Sequence, residues 1–422
     1  MTFDPMTERG IPLERQLRSW SELNVTPYDS ASVHPYTRTR AILMNGVEVE
    51  AIINSHQAAR RNSDLGLKQV LAQVRRVEQQ QQKAVNWLLP GEESNIAVTI
   101  GYEQVAVDLT AWIARHEPDP YLKQVYDFGL LEDFDHLYRY ANLMDLMGES
   151  RKAHDITGGL TEILPGRPTI FEHRHPNDDL RRPMTKVGAD RQSMLNGLTL
   201  VSAEQQTMNY YMNVGNRPTD PLARALYLEI AQIEEQHVSH YESILDPTLT
   251  WMENWVLHEF HECWLYWSCM TTEEDARIRA LWELHLAMEV EHLRIACEMM
   301  KSIDRKDPAE LLPDTRLQTP MTFEENKSYV RQILADQVDL TAWDSEFVPV
   351  GGLPEDHRYF DYQAAVNAGG SPTEQVIEQH RERFGEDYRS VSQGDHPIAA
   401  LRPDAQGAQL DYAQRVGPMA AE

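Results

Sequence analysis

The chain has 422 residues, with 66 acidic against 39 basic side chains, a net charge of -27 and 41% hydrophobic residues. That charge repels phosphate backbones and anionic lipid, so nucleic acid is disfavoured as a partner, and no run of about 18 apolar residues marks a membrane span. The start, Met1 to Leu17, lacks a charged-then-apolar export pattern, and Cys263, Cys269 and Cys297 lack CxxC spacing, so a cytoplasmic protein with reduced, packed thiols is expected.

Residues 1–92 read as an N-terminal arm and one helix. The first 60 or so positions show no long period, whereas Arg60 to Leu89 reads as a helix ending before Pro90, with Gln79 to Gln82 as a solvated face. From about Ala97 to Met300 the pattern is helical, apart from Gly148 to Asp190, where Gly158, Gly159, Pro165, Gly166, Pro168, Pro176 and Pro183 break any helix. This predicts three helical hairpins, 97–147, 192–246 and 249–303, with 148–190 as a crossover, inside a helical core spanning 93–340. A loop with Pro308, Pro313 and Pro320 precedes one more helix near Phe323 to Gln337. Residues 341–422, with Gly351-Gly352, Gly369-Gly370, His396-Pro397 and Arg402-Pro403, read as an extended tail relieved by a short helix around Thr373 to Phe384.

A repeat runs through the hairpins. The stretch Glu103 to Asp145 lies on Glu204 to Asp246 without a gap, matching Tyr126 with Tyr227, His136 with His237 and Tyr140 with Tyr241. Asp119-Pro120 and Asp220-Pro221 fall where each second helix should begin, with Asp as cap and Pro at the first helical position. A further shift along the chain matches Glu234 and His237 to Glu289 and His292, and Thr271 with Glu274 supplies a capping-box spacing for that helix.

Each hairpin carries a glutamate, then a carboxylate at one fixed interval, then a histidine at i+3 from that carboxylate: Glu103, Asp133, His136; Glu204, Glu234, His237; Glu259, Glu289, His292. The i, i+3 pair shares one helix face, and the neighbours at three and four positions are mostly apolar, so these acids point toward a core. Unpaired buried carboxylates cost several kcal/mol each, a cost that a divalent cation removes. The mixed oxygen and nitrogen set suits iron or manganese better than zinc, calcium or magnesium.

The order Glu, Glu-x-x-His, Glu, Glu-x-x-His resembles the ferritin-like carboxylate-bridged di-iron superfamily over about 200 of the 422 residues. The resemblance implies an all-α, ferritin-like four-helix bundle, here with an additional helical hairpin and N- and C-terminal extensions. It also implies two iron ions, with manganese as a variant, and dioxygen or peroxide as reactant. Three copies for a two-copy site leave two pairings. The long crossover favours Glu103, Asp133 and His136 as partners of Glu204, Glu234 and His237, while residue identity favours Glu259, Glu289 and His292, with His285 as an extra ligand.

Other residues are open to two readings. His258 and His261 flank Glu259 and could donate hydrogen bonds to it; Tyr211, Tyr241, Tyr266 and Trp255 read as core packing; His173, His175, Arg181 and Arg182 read as a solvated loop. The function expected is a dinuclear non-haem iron oxidoreductase that activates dioxygen and oxygenates or desaturates a small organic substrate. A separate reductase or electron donor and a homodimer are expected with it. Ferroxidase or peroxide-removing activity, and a non-catalytic helical protein, are the alternatives.

Overall fold

The computed structural model describes residues 2–385, 388 and 394–402. Its helices are α1 (Trp20–Leu23), α2 (Pro35–Arg61), α3 (Leu65–Asn86), α4 (Asn95–His116), α5 (Pro120–Met147), α6 (Ala153–Thr157) and α7 (Arg191–Val214). They continue with α8 (Pro221–Ser243), α9 (Trp251–Thr272), α10 (Ala276–Ile303), α11 (Pro308–Leu311), α12 (Lys327–Gln337), α13 (Arg358–Val366) and α14 (Pro372–Phe384). The only named strands among the described residues are β1 (Leu340–Trp343) and β2 (Glu346–Pro349), an antiparallel pair, so the chain is predominantly helical. No helix among the described residues is long and apolar enough to cross a membrane.

Local chemistry sets the helix starts. Asp119 accepts from the backbone N–H groups of Tyr121 and Leu122 at 2.7 and 3.3 Å, and Asp220 from that of Ala223 at 2.8 Å, each followed by Pro at the first helical position. α5 stops at Gly148, whose φ of 73° is the left-handed conformation that glycine adopts without a Cβ clash. α10 is not capped by Thr271. That residue lies in the last turn of α9, and Asp275 caps α10 instead, accepting from Arg277 and Ile278 at 2.8 and 3.1 Å.

The chain forms two compact units. The first contains residues up to 93, 183–206 and 245–323; the second contains 94–182, 207–244 and residues from 324 onward. In the first unit α2 packs on α3 and α9, and α10 packs on α9 and α3. In the second, α4 packs on α5 and α6, and α5 packs on α8, α12 and α14. α7 contributes residues to both units.

Three expectations for the termini are corrected. Residues 1–92 hold a helical hairpin, α2 with α3, and not an arm with one helix. α2 shows no period because its buried positions include polar ones all round, among them Thr37, Arg38, Thr39, Arg40 and Asn45, satisfied in part by Glu93 and Glu273. The Gln79–Gln82 tract is not a solvated face: Gln81 and Gln82 are buried, and the Gln82 amide donates to Asn45 at 2.7 Å. The region after 341 is less extended than expected, since β1, β2 and α13 lie in it. Asp344 turns the β-hairpin with φ 51°, which Asp tolerates through its short polar side chain. The Arg402-Pro403 pair and the rest of the tail fall largely outside the described residues.

Candidate metal centre

In the second unit, α4 carries Glu103, α5 carries Asp133 and His136, and α8 carries Glu234 and His237. None of the five is more than 1% exposed. The ligand atoms of Glu103, His136 and Glu234 lie within 4.8 Å of one another. His136 Nδ1 is 3.0 Å from Glu234 Oε1, and His237 Nδ1 is 3.3 Å from Glu234 Oε2 and 3.4 Å from Asp133 Oδ1. Glu234 therefore stands between two imidazoles whose ring centroids are 5.5 Å apart.

The outer ring nitrogens face a second pair of carboxylates. His136 Nε2 faces Glu172 at 3.4 Å and His237 Nε2 faces Glu132 at 2.8 Å. A carboxylate only accepts, so His237 Nε2 carries a hydrogen toward Glu132, and each Nδ1 faces the inner carboxylates, where it donates to them when the imidazole is charged and can ligate a cation when it is neutral. Arg139 donates to Glu172 at 2.7 Å, while Arg174 and Arg167 hold Glu132. Tyr211 donates to Glu103, and the Thr110 hydroxyl donates to Asp133 at 3.1 Å.

The electrostatics separate inner from outer acids. Burial drives the Glu103 carboxyl well above the usual range, with Glu234 and Asp133 adding to it against His136. Burial also raises Glu132, but Arg174 and Arg167 outweigh it and hold that group well below the usual range. For His136, burial opposes the charged form, and hydrogen bonds to Glu172 and Glu234 more than reverse it. Glu103 Oε2 and Glu234 Oε2 are buried without a hydrogen-bond partner among the described residues. Inner oxygens lacking partners, beside two imidazoles, fit a bound cation of the iron or manganese type.

The remaining predicted residues fall as follows. Glu204 is buried on α7, on the stretch counted with the first unit. Glu259, Glu289 and His292 are buried in the first unit, where Glu78 joins Glu259 and His292, and Glu262 joins Glu259 and Glu289. His285 pairs with the Tyr266 hydroxyl at 3.1 Å and stands outside those groups. His261 bonds Thr199 at 2.8 Å and burial pushes His258 down to about 4, while the hydrogen bond to Glu259 comes from Trp255. Tyr211, Tyr266 and Trp255 are core residues that also donate to Glu103, Glu48 and Glu259 respectively, and Tyr241 closes over Gly129, where a Cβ would press on its hydroxyl. The loop reading of residues 173–182 is corrected in part: His173 is buried against Glu229 at 2.9 Å and Arg181 is buried on the Asp178 carbonyl, while Arg182 and His175 remain outward. The three cysteines are free and buried.

Several site residues were not singled out in the sequence. Glu132 and Glu172 reach His237 and His136 from distant positions in the chain, which no local period reveals. Glu48, Glu78 and Gln81 did leave a signal, because they keep the spacing of Glu103, Asp133 and His136 with Gln in place of His. A groove of about 1070 Å³ lined by Leu143, Met147, Arg217 and Arg383 includes none of the candidate ligands. No protein-family profile, curated protein or solved structure matches this chain.

Proposed function

We propose that the second unit is built on a ferritin-like helical bundle holding a dinuclear metal centre, and that the protein is an iron-dependent oxidoreductase using dioxygen on a small organic substrate. The ligands are Glu103, Asp133, His136, Glu234 and His237, and Glu204 joins them on sequence alone. The observation that carries this reading is the convergence of two buried histidines on one carboxylate: both Nδ1 atoms approach Glu234 at 3.0 and 3.3 Å, while the Nε2 atoms face Glu172 and Glu132 at 3.4 and 2.8 Å. Two reduced irons bound there would supply electrons and open coordination positions to dioxygen.

The chain's own residues prepare that chemistry. Arg139, Arg167 and Arg174 hold Glu172 and Glu132, and these carboxylates stand behind the two imidazoles, Glu132 bonded to His237 at 2.8 Å. The Tyr211 hydroxyl holds one oxygen of Glu103 and leaves the other for a metal. Full burial of all five ligands keeps bulk water away from the reacting position.

The test is anaerobic loading of the metal-free protein with ferrous ion, followed by oxygen, with uptake, oxygen consumption and visible absorption recorded. Saturable ferrous binding and oxygen-dependent absorption are expected, and Glu234→Ala should lose the second unit's share of both by taking away the carboxylate shared by the two histidines. Equal uptake and absorption in Glu234→Ala would overturn the assignment. Uptake that continues far beyond saturation would favour iron storage.

A further inference from the structure

The spacing that marks the candidate centre occurs once more, in the N-terminal hairpin. Glu48, Glu78 and Gln81 are set apart as Glu103, Asp133 and His136 are, and the step from Glu48 to Glu103 equals that from Glu204 to Glu259. In the first unit α2, α3, α9 and α10 bring Glu48, Glu78, Glu259, Glu262, Glu289 and His292 into one buried region, each at most 2% exposed. Ligand atoms of Glu78, Glu259 and His292 lie within 4.8 Å of one another, as do those of Glu259, Glu262 and Glu289. Glu259 belongs to both groups.

Acids gathered in this way can also be neutralised by shared protons, so what surrounds them decides between protons and a cation. Gln16 donates its amide N–H to the Ile11 carbonyl at 2.6 Å, which turns its Oε1 toward His292 Nε2 at 2.7 Å. An amide oxygen only accepts, so Nε2 carries the hydrogen and Nδ1 faces inward, 2.9 Å from Glu289 Oε2 and 3.8 Å from Glu259 Oε2. Nδ1 donates to Glu289 when the imidazole is charged; when it is neutral, its lone pair beside two carboxylates calls for a cation between them. Glu48 Oε2, Glu78 Oε2, Glu259 Oε2, both oxygens of Glu262 and Gln81 Oε1 are buried without a hydrogen-bond partner among the described residues.

The contrast with the second unit is one of charge. There Glu132 and Glu172 have guanidinium partners, whereas among the described residues none of the five first-unit carboxylates forms an ion pair with Lys or Arg. Five carboxylates against one imidazole call for about two divalent cations to approach neutrality. A cavity of about 30 Å³ bordered by Gln16, Arg18, Glu22, Gln81 and His285 reaches the edge of the cluster and has room for a water or a small ion.

We propose that the first unit holds a dinuclear centre of its own, in which two manganese(II) ions share Glu259, one held also by Glu78 and His292 and the other by Glu262 and Glu289. Manganese is the class indicated because the donors are carboxylates with a single imidazole, a harder set than the two-histidine group of the second unit. Glu48, bonded by Tyr266, and Gln81, whose amide donates to Glu289, border the same carboxylates.

Manganese(II) added to the metal-free protein, with free ion read by electron paramagnetic resonance, gives the stoichiometry. Glu259→Gln combined with Glu289→Gln should bind two fewer ions than the unaltered chain, and its metal-free form should melt at a higher temperature because uncompensated buried charge has gone. Unchanged stoichiometry in that variant would overturn the proposal. Should the double variant misfold, Glu234→Ala leaves the first unit intact: manganese should still raise its melting temperature, and no rise would equally overturn the proposal. A fall of two bound ferrous ions in Glu234→Ala reports on the second unit, and the manganese count of the double variant on the first, so the two readings fail separately.

Discussion

Arg139 lies fully buried between Asp135 and Glu172, donating to both, and Glu172 in turn receives His136. Burial raises Asp135 to about 7 even with this guanidinium beside it, so the network tolerates little loss of positive charge. Arg139→Met is therefore expected to destabilise the fold by about 3–5 kcal/mol in denaturant unfolding, since two buried acids lose their partner. The same change should weaken metal affinity by roughly 10- to 100-fold, because His136 loses its anchored acceptor. Unchanged affinity in folded Arg139→Met would show that the Glu172 contact does not orient the ligand.

At the scale of elements, α14 docks on α8 through one carboxylate. Glu229 accepts from the Thr373 backbone N–H at 2.8 Å, the Thr373 hydroxyl at 2.9 Å and the Ser371 hydroxyl at 3.0 Å, and pairs with His173 at 2.9 Å. Burial raises its pKa, but His173, Arg139 and the Thr373 N–H together hold it below the ordinary 4.5. A depressed carboxylate stabilises the fold above its unfolded pKa and loses that contribution as pH falls through the folded value. Amide exchange in α14 should thus quicken in acid before that of the core, and Glu229→Ala should quicken it at neutral pH by removing about 1–3 kcal/mol of charge-assisted bonding. An α14 equally protected in the variant would contradict this docking.

The hairpins were readable because helical spacing places acids on apolar faces at fixed steps, and Asp-Pro pairs announce two of the starts. α2 was not, because Arg38, Arg40 and Asn45 are buried beside Ile42 and Leu43 and no apolar stripe survives. Gln81 hid the fourth copy by replacing the expected histidine. The partners that aim the histidines, Glu132, Glu172 and Gln16, come from neighbouring helices, a loop and the N-terminal segment, so only the folded chain shows them.

Over the whole molecule, the interval from Glu48 to Glu103 recurs from Glu204 to Glu259, and Tyr211 and Tyr266 follow the later pair at one common separation. Each tyrosine donates to the single glutamate of another hairpin, Tyr211 to Glu103 and Tyr266 to Glu48. The molecule thus repeats one spacing of buried acids, with two histidines in one unit and a histidine with a glutamine in the other. The most direct measurement is anomalous X-ray scattering at the iron edge from crystals of the iron-loaded protein. The account predicts difference peaks among Glu103, His136, Glu234 and His237; a loaded crystal with no peak within coordination distance of Glu234 would contradict it.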